Sequence, residues 1–119
     1  SLFAAGVRRA MGGIEVRVVG RPDKEIRRVA LCTGSGASLI DLVSASGCDA
    51  YVTGDVKYHE AQTAVEADLA LIDVGHFASE RIVVEPLAAN LQAMADRSGE
   101  AVAFLIAKEE SDPFWRGGE

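Results

Sequence analysis

Two short stretches of the sequence carry metal-capable side chains at the same spacing. His59 follows Asp55 by four residues and Glu80 follows His76 by four, with a glycine directly before each pair. If a helix begins there, positions i and i+4 share one face, so each pair converges on one point. Imidazole with carboxylate suits Zn, Mn, Fe, Co or Ni better than Ca. Alone, each pair is more typical of a helix cap or a surface ion pair, but the repetition favours a polar site.

A third stretch, from Thr33 to Ser38, is rich in glycine. Gly34, Ser35 and Gly36 allow a tight turn whose amides could hold a phosphate or another oxyanion of a ligand. The stretch is not a Walker loop, because no Gly-Lys-Ser/Thr follows, and it lacks the third glycine of GxGxxG. The alternative is a turn that needs glycine for its backbone and in which a serine caps the next helix.

The elements that must position these residues alternate between strand and helix. Apolar runs closed by turn residues predict strands, and apolar residues at helical spacing predict helices. Strands are predicted at 16–19, 26–32, 50–53, 69–74 and 101–107, and helices at 3–11, 38–46, 57–67 and 76–97, the last started, broken or kinked at Pro86. Single helices between strands require parallel crossovers, so we expect an α/β fold with a mainly parallel or mixed sheet flanked by helices. All three stretches fall at the carboxyl ends of strands, where such sheets bind ligands.

One charged residue lies inside an apolar strand. Asp73 interrupts the predicted strand at 69–74, and a buried carboxylate needs a partner. It either holds a residue of the site in position without contacting the ligand itself, or it faces solvent near an edge of the sheet.

Length and composition limit the class of protein. The chain has 119 residues, 49% of them hydrophobic, which predicts a single globular α/β domain over residues 1–119. Its net charge of −6 argues against duplex nucleic acid or an anionic membrane as a partner, because each binds a positive surface. Two cysteines without a CxxC spacing predict a reducing, cytoplasmic location.

Three segments together resemble a known family. They are LCTGSG at 31–36, DAYVTGDVKYHEA at 49–61 and IDVGHFASE at 72–80, and the closing DPF at 112–114 is similar too. In this order they resemble the carboxy-terminal part of the GTP cyclohydrolase I type 2 family, also called the dinuclear metal centre or Nif-three-like family. The resemblance runs from about residue 20 to the end of the chain.

The resemblance implies two similar α/β halves around a pair of divalent metal ions, in ring-shaped homo-oligomers that are often hexamers. It implies His76 and Glu80 as metal ligands. It places Asp55 and His59 close to that centre, as candidates for a further ligand, a substrate contact or acid–base catalysis. The family's other ligands, a histidine pair and an aspartate, come from an amino-terminal half that has no counterpart in this chain. We therefore expect a carboxy-terminal domain or fragment of a longer protein, which binds metal weakly and is inactive by itself.

The residues and the resemblance together leave three alternative functions. The first is a metal-dependent hydrolase of a nucleotide-like or other heterocyclic substrate, GTP being the one that the family name implies, with the loop at 34–36 as a phosphate seat. The alternative is a non-catalytic interaction or regulatory protein that uses the same fold as an assembly module. A third is the binding of a phosphate or a nucleotide by the same loop, independent of metal.

Overall fold

Four strands form one mixed sheet in the order β1-β4-β3-β2. They are β1 (Arg17–Val19), β2 (Val29–Leu31), β3 (Ala50–Thr53) and β4 (Ala70–Asp73). The strands β2, β3 and β4 are parallel to one another, and β1 pairs with β4 in the antiparallel direction. The predicted α/β fold with a mainly parallel sheet is therefore confirmed.

The structure, a computed structural model, describes residues 2–114. The chain divides into two compact units, Ser1–Ser79 and Glu80–Glu119, and the sheet belongs to the first. The prediction of a single domain over 1–119 stays a prediction. No helix in the described part of the chain is long and apolar enough to cross a membrane.

The two central strands are buried along their whole length because both of their faces are covered. Successive side chains of a strand point to opposite faces, so β3 and β4 contribute to two apolar clusters. One cluster joins Tyr51 and Leu71 to the helices α2 (Ile40–Ala45) and α3 (Tyr58–Glu66). The other joins Val52 and Ile72 to the first helix, α1 (Leu2–Ala10).

The long helical segment predicted after β4 consists of two helices, α4 (His76–Arg81) and α5 (Val84–Ser98). Pro86 is the third residue of α5, and it therefore starts a helix rather than kinking one. A helix tolerates proline in its first turn, because the amides there have no intrahelical acceptor.

The second unit is described from Glu80 to residue 114, and within these residues no side chain is buried. The strand predicted at 101–107 is wrong, because this segment has no regular secondary structure and pairs with no strand among the described residues. Its backbone bonds instead to the side-chain amide of Gln92, which donates to the Val102 carbonyl at 3.0 Å and accepts from the Phe104 amide at 3.0 Å. A β-prone sequence becomes a strand only where a neighbouring backbone completes the ladder.

Candidate functional site

The carboxyl ends of β3 and β4 bring two of the predicted site residues together. His76 Nδ1 lies 2.7 Å from Asp55 Oδ2, and both side chains are about half exposed, at 47% and 53%. The sequence spacing paired each of these residues with a partner on its own helix. The structure pairs them with each other, because β3 and β4 are adjacent and parallel and end at the same edge of the sheet.

A glycine at position 54 makes this approach possible. A Cβ atom on Gly54 would lie 2.7 Å from the backbone carbon and oxygen of Gly75, so the two turns are in direct backbone contact. The same Cβ atom would lie 2.9 Å from the Gly34 carbonyl oxygen. Only glycine at position 54 lets the chain after β3 lie against the chain after β4.

The backbone of Asp55 is held in the left-handed region, with φ at 56°. This conformation is uncommon outside glycine, and aspartate is one of the few residue types that adopt it. Backbone outliers of this kind cost about 1–3 kcal/mol and cluster at functional sites. Here the strained residue is the one whose carboxylate contacts His76.

A buried carboxylate fixes both turns. Asp73 Oδ1 accepts from the Gly75 amide at 2.9 Å, directly before His76, and Oδ2 accepts from the Val56 amide at 3.2 Å, directly after Asp55. Its side chain is only 4% exposed. Of the two alternatives for this residue, the orienting one is therefore supported, and a solvent-facing position is wrong.

Arg17 on β1 supplies the countercharge for this carboxylate. Its Nε donates to Asp73 Oδ2 at 3.1 Å, and its Nη2 bonds to the same oxygen. Nη2 also donates to the Val56 carbonyl at 2.8 Å, so one guanidinium contacts both the carboxylate and the turn that it holds. The antiparallel pairing of β1 places Arg17 directly opposite Asp73.

The glycine loop is bonded to the same edge by two buried hydroxyls. The Gly34 amide donates to Ser79 Oγ at 2.8 Å, and the Gly36 amide donates to Thr53 Oγ1 at 3.0 Å. Ser79 Oγ in turn donates to the His76 carbonyl at 2.7 Å. These two amides are thus donors within the protein, and an anion at this loop would be held by other groups. The cofactor role predicted for Gly34, Ser35 and Gly36 stays a prediction.

Tyr51, on β3, forms a hydrogen bond to the glycine loop from the sheet. Its hydroxyl donates to the Gly36 carbonyl at 2.8 Å, and burial raises the pKa of this hydroxyl above its ordinary value. The group therefore stays protonated and able to donate. Tyr51, Thr53 and Ser79 were not predicted as residues of this edge, although a polar residue at the end of an apolar strand was a usable signal at Thr53.

The two remaining predicted residues, His59 and Glu80, lie on the helices α3 and α4. His59 is exposed on α3, where its Nδ1 lies 3.2 Å from Gln62 Oε1 and its ring meets the Tyr58 ring edge-on. Glu80 lies four residues after His76 on α4. Across residues 2–114, no three His, Cys, Asp or Glu side chains group closely enough to hold a metal ion. The metal and catalytic roles predicted for these residues stay predictions.

These features define an α/β protein with a polar site where adjacent parallel strands end. Residues 1–113 match the model of the family described as Duf34/NIF3 (NGG1p interacting factor 3), and the chain belongs to this family. The resemblance drawn from the three segments is confirmed.

Relatives and solved structures agree with this membership. The chain is 39% identical to a GTP cyclohydrolase 1 type 2 homolog of Streptomyces coelicolor over 83% of its length, which is 35% of that relative. It is 32% identical to the homolog of Bacillus subtilis over 94% of its length and 30% of the relative. A Bacillus cereus protein related to NIF3 superimposes with a TM-score of 0.90 at 32% identity, over 98% of this chain and 32% of that one. The chain thus spans about a third of the length of these relatives.

Replacing Asp73 tests whether its carboxylate holds the two turns. We expect Asp73→Ala to lower the free energy of unfolding by about 2–4 kcal/mol, because the buried Val56 and Gly75 amides lose their acceptor. Arg17→Ala should cost about 1–3 kcal/mol, because the buried carboxylate loses its countercharge but keeps both amide donors. Urea denaturation of both variants measures the difference. Equal, small effects would mean that Asp73 does not hold the turns.

Replacing Gly54 tests the contact between the turns. Gly54→Ala should destabilise the fold by about 1–3 kcal/mol, because the new methyl group meets the Gly75 backbone, which cannot move aside cheaply. Gly6→Ala is the matched control, since a methyl group at Gly6 meets no atom within 4 Å, and in the α1 helix it should stabilise by about 0.5–1 kcal/mol. The melting temperatures of the two variants should shift in opposite directions. A Gly54→Ala variant that melts at the temperature of the unaltered chain would contradict the close approach.

Proposed function

We propose that the protein is a metal-dependent hydrolase of the GTP cyclohydrolase I type 2 kind, which acts on a nucleotide-like or other heterocyclic substrate at a dinuclear metal site. The observation that supports it best is the Asp55–His76 pair, at 2.7 Å, where β3 and β4 end. Open parallel sheets bind their ligands at this edge. Membership of the family, whose relatives carry the cyclohydrolase name, supports the same reaction class.

His76 and Glu80 are the proposed metal ligands. An imidazole nitrogen and a carboxylate oxygen, four residues apart on α4, are donors that divalent transition metals accept, and this donor chemistry does not select among Zn, Mn, Fe, Co and Ni. The donors of the described residues fit part of such a site. Because two ligands leave most coordination positions to water, we propose that residues of a longer protein complete the site, and that this chain alone binds metal weakly.

The other proposed roles belong to His59 and to the glycine loop. When bound, divalent ions polarise a substrate and provide hydroxide near neutral pH. His59, exposed on α3, is the proposed proton carrier, because its imidazole ring is accessible and can both accept and donate a proton. Ser35 is the group of the glycine loop proposed to meet a phosphate, since the Gly34 and Gly36 amides already donate to Ser79 and Thr53.

A second candidate function, a non-catalytic assembly module in a homo-oligomer such as a hexamer, is favoured by a separate observation. Within the described part of the second unit, no side chain is buried. Eight large apolar side chains there are more than a third exposed: Ile82, Val83, Leu87, Met94, Val102, Phe104, Leu105 and Phe114. Large apolar side chains exposed in this number are of the kind that a partner chain buries, which supports an assembly role.

Metal titration tests the ligand assignment. We expect the chain to bind Co²⁺ weakly in calorimetry, and His76→Ala to weaken this binding about ten-fold or more, because the imidazole ligand is lost. His59→Ala is the matched histidine control and should bind as the unaltered chain does, because His59 contacts residues of its own helix. If His76→Ala binds Co²⁺ as tightly as the unaltered chain, the assignment is wrong.

An activity assay separates the two candidate functions. We expect the natural full-length protein, supplied with Zn²⁺ or Mn²⁺, to convert GTP, and His76→Ala and Glu80→Ala to abolish turnover while assembly survives. Liquid chromatography of the nucleotide pool measures the conversion, and light scattering measures the assembly. If the full-length protein leaves GTP unchanged with every added metal, GTP is excluded as the substrate. If it also transformed no other nucleotide or heterocycle, the assembly function would be favoured.

A further inference from the structure

We propose that Asp55 is a positioning residue for His76. Its carboxylate holds the imidazole in the tautomer that carries the proton on Nδ1, so that Nε2 is the nitrogen directed to the metal. The proposal rests on the proposed function, in which His76 is a ligand, and it assigns to Asp55 a role that acts through His76 rather than on the substrate.

The chemistry of the contact determines which nitrogen carries the proton. A carboxylate is ionised at neutral pH and can only accept a hydrogen bond. Because Asp55 Oδ2 lies 2.7 Å from His76 Nδ1, that nitrogen must be the donor. In a neutral imidazole with the proton on Nδ1, the lone pair is on Nε2, and a metal binds through a lone pair.

The backbone imposes this geometry on the pair. Two half-exposed side chains on a free surface would gain little from pairing, because holding them in one arrangement costs entropy. Here the backbone of Asp55 has a φ of 56°. The residue before it, Gly54, lies against the Gly75 backbone, and the amide of the residue after it, Val56, donates to Asp73. The fixed main chain of Asp55 therefore sets the direction of its carboxylate.

The main chain of His76 is fixed as well. The amide of the preceding residue, Gly75, donates to Asp73 Oδ1 at 2.9 Å, and the His76 carbonyl accepts from Ser79 Oγ at 2.7 Å. Ser79 is itself buried and accepts from the Gly34 amide. Both partners of the pair therefore start from anchored backbone positions, which an accidental surface contact does not require.

A carboxylate on the far nitrogen of a metal-binding histidine has known consequences. It fixes the tautomer and the ring orientation and makes the ligand more basic, and its loss typically lowers metal affinity about 10–100-fold. The arrangement at Asp55 and His76 is of this kind.

The first experiment reads the tautomer directly in the metal-free chain. The chain has two histidines, so long-range ¹H–¹⁵N spectra of the imidazole rings give two sets of signals, which His59→Ala assigns. We expect the His76 ring of the unaltered chain to carry its proton on Nδ1. In Asp55→Gly the His76 ring should shift toward the Nε2-protonated form that a free imidazole side chain prefers.

Asp55→Gly is the informative variant because it separates the two roles of the residue. Glycine adopts a positive φ without strain, so the fold should be retained or slightly stabilised while the carboxylate is lost. Asp23→Asn, at an exposed position in the turn after β1, is the control for loss of a carboxylate charge, and the His76 tautomer should not change in it.

The second experiment measures metal affinity with Co²⁺ alone as the probe. Asp55→Gly should bind Co²⁺ about ten-fold more weakly than the unaltered chain, whereas Asp23→Asn should bind equally well. An unchanged tautomer in Asp55→Gly overturns the positioning role, and so does unchanged affinity where His76→Ala does weaken binding. If His76→Ala does not weaken binding, the ligand assignment itself is wrong, and the tautomer result still decides whether Asp55 controls the ring.

Discussion

The candidate site depends on one buried carboxylate. Asp73 ends the central strand β4, where its two oxygens accept from the Gly75 amide, the Val56 amide and the Arg17 guanidinium. A carboxylate removed from water at this depth is tolerated only with such a set of donors. Its bonds join the turn after β3 to the turn after β4, and these are the turns that carry Asp55 and His76.

The remaining features of the edge follow from this junction. Gly54 allows the turns to touch, and Thr53 and Ser79 bond the glycine loop to the same place. The result is a layer of buried polar contacts beneath the half-exposed Asp55–His76 pair. Such a layer fixes side-chain geometry before a ligand arrives, which a metal site needs from the residues around its ligands.

The sequence predicted the fold class and the edge of the sheet, but not the pairing at that edge. Alternating strands and helices are visible in one dimension, and so are glycines and charged residues at strand ends. The sequence spacing reveals only neighbours on one helix, which is why Asp55 was paired with His59. Its contact with His76 depends on which strands are adjacent. The failed strand at 101–107 has the same cause, since strand formation depends on a partner that local sequence does not encode.

The most direct test of the junction is hydrogen exchange at the Val56 and Gly75 backbone amides. Both amides donate to the Asp73 carboxylate rather than to a strand or a helix. We predict that, in the native chain, they exchange as slowly as the ladder amides of β3 and β4. Exchange of both amides at the rate of an exposed loop would contradict the junction, and with it the positioning of Asp55 against His76.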